Sequence, residues 1–180
     1  MPYQSEHQTK FKALQMHLNN IEQLRRNANG GNCVLFSFEP SEEALYINEA
    51  RNLYKDTAEF IDASLLLQNY IDNETWQGFS DYYNDYKDTP NIVFKNDTDK
   101  DFFTMIIDEI KKANQNGKIP IIIRTGALYG TGIENQNIME NKYVMEMGNP
   151  LVIFYPAIKK DNNILFLGVK KASQYRCQLI

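Results

Sequence analysis

Cysteine and histidine are scarce in this 180-residue chain, with two of each. Cys33 and Cys177 both sit in apolar strand patterns, so they read as buried, reduced thiols of a cytoplasmic protein rather than as a disulfide. His7 and His17 lie in the first helical pattern and do not space with the cysteines as zinc ligands would. No serine has a histidine in a matching strand-loop position, which leaves Ser37, Ser64, Ser80 and Ser173 without an adjacent base. No apolar run approaches the ~20 residues of a membrane helix. Residues 1–10 are polar, unlike a secretory leader. A basic excess is also missing. The net charge is -4, which argues against direct nucleic-acid binding, because duplex affinity rests on neutralising phosphates. Lys159-Lys160 and Lys170-Lys171 make only a small basic spot near the end, read first as solvated turns and second as an anion site. No metal and no cofactor is expected from these patterns.

What is present is an ordinary globular composition, 43% hydrophobic and 23% charged, with 11 Tyr and 10 Phe. One hundred and eighty residues suit a single domain with a real core, and neither an internal repeat nor a linker interrupts it. Phe11, Leu14, Leu18, Ile21 and Leu24 predict an amphipathic helix over residues 7–26, within an N-terminal helical segment spanning 1–32. Gly30-Gly31 follows its end. Cys33-Val-Leu-Phe-Ser-Phe38 is the first strand. A helix starting near Ser41 and a second strand, Glu59-Phe-Ile-Asp-Ala63, complete a β-α-β unit. Leu65 opens a short apolar helix that reaches Ile71.

Residues 72–101 are an acidic, aromatic excursion, helical in part and broken at Pro90. Trp76, Phe79, Tyr83 and Tyr86 recur there at helical spacing. The stripe serves either as core or as an exposed contact face, since Trp and Tyr bury large areas at low entropic cost. Asp99 or Asp101 caps the next helix, whose apolar face is Phe103, Ile106, Ile107 and Ile110.

Ile119-Pro-Ile-Ile-Ile-Arg124 then reads as a strand buried on both faces. It breaks into a loop with Gly126, Gly130 and Gly132, and a helix over residues 133–147 follows, with Met139, Tyr143 and Met147 inward. Leu151-Val-Ile-Phe-Tyr155 and Ile164-Leu-Phe-Leu-Gly-Val169 are strands, and Tyr175 opens a last one. Their connections are short, which predicts antiparallel pairing. The expected fold is a single three-layer α/β domain, a mixed sheet with a parallel centre and antiparallel C-terminal edge strands.

Open α/β sheets place their sites at the carboxyl edge. The glycine loop lacks the Lys-Ser or Lys-Thr of a P-loop. Its amides, with Arg124, Thr125, Gly126, Tyr129 and Gly130, either cradle an anion or simply allow a tight exit from the sheet. Glu134 opposes the first. Glu39, Asp62 and Tyr155 end or flank strands, and the first two also suit helix or turn capping. Glu109-Ile-Lys111 and Glu140-Asn-Lys142 have a metal-nuclease spacing, but in helical rather than strand patterns, where acid-lysine neighbours are common.

Several stretches in order resemble the BrxB family of bacteriophage-exclusion (BREX) defence proteins. They are Leu35-Phe-Ser-Phe-Glu-Pro40, Glu59-Phe-Ile-Asp-Ala-Ser-Leu-Leu-Leu67, Ile122-Ile-Arg-Thr-Gly-Ala-Leu-Tyr129, Asn149-Pro-Leu-Val-Ile-Phe-Tyr-Pro156, Ile164-Leu-Phe-Leu-Gly168 and the terminal Tyr175-Arg176. Glu134 and Gln136 lie where the family pattern has an Arg and a His. The resemblance implies a non-catalytic accessory or scaffold protein of an antiviral complex, docking a PglZ phosphatase-like subunit. Contact would run through Trp76, Phe79, Tyr83 and Tyr86, or through Tyr175 and Arg176, where Arg176 can hold a carboxylate. The alternative is a nucleotide- or anion-binding enzyme or sensor using Thr125, Gly126, Tyr129, Gly130, Glu39 and Asp62.

Overall fold

The computed structural model describes residues 2–96 and 100–180, and side chains from residue 6 onward within them. In chain order it places α1 (Pro2–Asn19), α2 (Ile21–Asn27), β1 (Cys33–Phe38), α3 (Glu43–Tyr54), β2 (Ala58–Asp62), α4 (Ala63–Asn73), α5 (Trp76–Tyr86), α6 (Asn91–Phe94) and α7 (Phe102–Gln115). Then come β3 (Ile119–Ile123), α8 (Asn135–Met139), α9 (Lys142–Glu146), β4 (Leu151–Lys160), β5 (Asn163–Phe166), β6 (Lys170–Lys171) and β7 (Cys177–Leu179).

The central sheet runs β2-β3-β4-β1-β7, parallel throughout. Alternation along its strands feeds two cores. Val34, Phe36, Phe38, Ile121, Ile123, Val152 and Phe154 face α1, α2 and α3. Leu35, Ile122, Ile153 and Tyr155 face α4 to α9. This is the α/β domain with covered faces that the apolar strands predicted. β1 and β2 are parallel as expected, but β3 and β4 stand between them.

β4 has a double role. Leu151 to Pro156 pair in parallel with Cys33 to Phe38. Ala157 to Lys160 run on past the rim and pair antiparallel with β5, which in turn pairs with β6. The antiparallel C-terminal strands are therefore real. The last strand departs from expectation: β7 is parallel to β1, with Cys33 beside Cys177. Residues 172–176 carry the chain back to β7 without a helix, turning at Tyr175 and Arg176, the latter at φ 60. The strand expected over Ile164 to Val169 ends at Phe166, because the chain turns at Leu167 and Gly168, both with positive φ. Lys170 and Lys171 are exposed strand residues. Gly31 marks the place where this return meets the core, because a Cβ there would lie 2.0 Å from the Arg176 carbonyl oxygen.

Asparagines split two expected helices. Asn20 accepts the Gln23 amide at 3.0 Å, separating α1 from α2. Asn141 accepts the Tyr143 amide at 3.0 Å, separating α8 from α9. Their short side chains compete with the helical ladder and restart it. Asp101 caps α7 by accepting the Thr104 amide at 2.6 Å. Asp97 and Asp99 lie outside the described residues. Among the described residues no helix is long and apolar enough to cross a membrane.

Candidate functional site

The carboxyl rim is built by three strand exits. Arg124 leaves β3 in the left-handed region, at φ 55. That turn sends its guanidinium sideways to Asp62 at the end of β2, Nη1 to Oδ2 2.8 Å. Asp62 also caps α4, accepting from the Ser64 amide and hydroxyl and the Leu65 amide. Burial pushes the Asp62 carboxyl up, but the Ser64 hydroxyl, the Leu65 amide and the Arg124 charge outweigh it and hold it below the usual range. Glu43, at the start of α3, shares this neighbourhood. Burial raises its carboxyl, the Arg124 charge offsets part of that rise and Asp62 adds to it. Its Oε1 is buried with no hydrogen-bond partner among the described residues.

The other rim residues are spent within the fold. The Thr125 hydroxyl is buried and donates to the Phe154 carbonyl at 2.6 Å. Glu39 is exposed and stands on the α1 side, where its charge acts on Lys10. The glycine loop is a tight turn, with the Tyr129 amide donating to the Gly126 carbonyl and Gly130 and Gly132 at positive φ. Gly132 also needs its missing Cβ, which would stand 2.9 Å from the Asn91 backbone nitrogen. The helix after the loop, α8, is five residues long, and Glu134 occupies its N-cap. Glu134 pairs with Lys170 at 2.7 Å. The place an incoming anion would need thus holds a carboxylate of the chain itself.

Below the loop lies a cavity of about 340 Å³, lined by Leu128, Tyr129, Gly130, Ile133, Tyr155 and Phe166, with Glu134, Lys170 and Lys171 at its edge. The Tyr155 and Phe166 rings stack at 4.6 Å and 21°. Of the rim and loop residues singled out in the sequence, Tyr129, Gly130, Gly132, Glu134 and Tyr155 line it, whereas Glu39, Asp62, Arg124, Thr125 and Gly126 do not. Phe166 and Lys170 come from the β5–β6 arm, and no sequence spacing connects them to the loop.

The aromatic stripe divides. Phe79 is buried and Tyr83 half-buried against Tyr70 and Phe94. Trp76 is 71% exposed, and Tyr86 is exposed beside Tyr82, which sequence periodicity had not picked out. The Tyr82–Tyr86 spacing of four was the available signal. Tyr175 is exposed, with the Arg176 guanidinium 5.2 Å from its ring centre and 3.7 Å from Met145 Sδ. Glu109 and Lys111 lie on α7, where Lys111 pairs with Asp108 and Lys112 with Glu109.

No family model matches the chain, and neither a curated protein nor a solved structure matches it.

Proposed function

We propose that this chain is a non-catalytic docking subunit, held against a larger protein by the acidic aromatic face of α5. One observation carries the reading. Residues 72–88 contain five acids and one lysine, so they hold the whole net charge of -4, and the rest of the chain has eighteen charges of each sign. Asp72, Glu74, Asp81, Asp85 and Asp88 are all exposed around Trp76, Tyr82 and Tyr86. Aromatic anchors within one sign of charge suit a partner surface rich in Lys and Arg, which adds cation–π contact to charge pairing. The resemblance to BrxB makes the finer proposal a scaffold role in a cytoplasmic bacteriophage-exclusion complex, with the PglZ-like subunit as partner. The rival nucleotide reading has less support, because Thr125, Arg124 and the α8 amide end are all engaged by the chain itself.

Co-purification of the full chain with a co-expressed PglZ-like subunit tests the proposal. Trp76→Ala with Tyr86→Ala, and separately Asp81→Lys with Asp85→Lys, should each abolish capture while leaving the melting temperature near wild type. Undiminished capture by both variants would remove α5 as the contact face.

A further inference from the structure

We propose that the cavity beneath the glycine loop is a binding site for a small aromatic carboxylate. Its volume of about 340 Å³ falls at the lower end of small-molecule sites, roughly 300–1,000 Å³. Three features define the ligand.

The first is a flat apolar wall. Leu128, Ile133, Tyr155 and Phe166 line the cavity, and the Tyr155 and Phe166 rings stack on each other, which holds the wall flat. Such a wall selects a ring over an extended or branched body.

The second is a hydroxyl without a partner. Tyr155 lines the cavity; its hydroxyl makes no hydrogen bond among the described residues and is not among their fully buried unpartnered atoms, so it is open to a ligand. The Tyr70 hydroxyl, by contrast, donates to the Val93 carbonyl at 2.6 Å. Burial, the nearby Glu134 and then Cys177 all raise the Tyr155 phenol well above its ordinary value. It therefore stays protonated and offers a donor, so the ligand should present an acceptor there.

The third is charge at the mouth. Glu134 and Lys170 neutralise each other at 2.7 Å. Lys171, the next residue of β6, is exposed and has no carboxylate within ion-pair distance among the described residues. The edge is thus one positive charge in excess, and an acid on the ligand matches it. Ring, acceptor and carboxylate together describe a hydroxylated aryl acid. The site is separate from the exposed face of α5, so it stands or falls independently of the docking proposal.

Calorimetric titration of the full chain with 6-hydroxy-2-naphthoate, and with the neutral 2,6-dihydroxynaphthalene, tests this. The acid should bind saturably. Tyr155→Phe, which keeps the ring and its packing, should weaken the acid and the diol alike by about fivefold to tenfold. Lys171→Glu should weaken the acid about fivefold and leave the diol unchanged. Both variants should melt with the wild type, which separates lost binding from lost folding. Absence of saturable binding, or equal affinities in all three proteins, would overturn the proposal. So would loss of a protein partner in Tyr155→Phe when no acid binds, since the cavity would then receive a partner's side chain.

Discussion

Arg124 and Asp62 tie the exits of two adjacent parallel strands together across 2.8 Å. The same carboxylate caps the helix that follows β2. Removing it with Asp62→Ala should therefore cost about 1–2 kcal/mol, mostly as the lost cap. Asp62→Asn keeps a capping oxygen and should cost under about 1 kcal/mol, since a partly exposed ion pair contributes little. Urea denaturation separates the two. The folded-state carboxyl is held below its unfolded value. Its contribution is then complete above about pH 4, the unfolded value, and is lost as pH falls further. Asp62→Asn should flatten that acid limb.

Glu43 should behave in the opposite sense. Its folded-state carboxyl lies above its ordinary value, because burial disfavours the charge. The charged form therefore weakens the fold once pH exceeds the folded value, and the penalty vanishes below the unfolded one. Glu43→Gln should raise the melting temperature at pH 7, and the gain should shrink toward zero near about pH 4. A melting temperature lowered at pH 7 would show that the carboxylate is instead paired in solution.

Phe79 and Trp76 sit one turn apart on α5 with ring centres 6.2 Å apart, yet one is in the core and the other in solvent. Phe79→Ala should destabilise by about 3–5 kcal/mol, the cost of an emptied aromatic site. Trp76→Ala should stay within about 0.5 kcal/mol. Chemical denaturation curves of the two variants check the division directly.

Legibility in the sequence followed how local the determinant was. β1 is bounded as its apolar run and flanking glycines and proline implied, and Ile106, Ile107 and Ile110 of α7 face inward as their period implied, although Phe102 rather than Phe103 is the fully buried ring. The helix breaks at Asn20 and Asn141 were missed because an apolar stripe continues through them, while one side-chain cap decides the matter. β7 was assigned the wrong direction because a length rule for crossovers assumes a helix, and here a short return that turns at Tyr175 and Arg176 sufficed. The cavity was the least visible feature. Its walls come from the glycine loop, from Tyr155 and from the β5–β6 arm, and no periodicity joins segments brought together only by the hairpin's reach.

That hairpin has a consequence for motion. β4 is clamped between β1 and β3 along its first half, whereas its second half holds only β5, and β5 only β6. The outer strands can unzip while the parallel layer stays closed, since local opening needs only the contacts it breaks. Amide protons of residues 157–171 should then exchange sooner than those of 151–155. Occupation of the space behind Phe166 would register first as slower exchange in that arm.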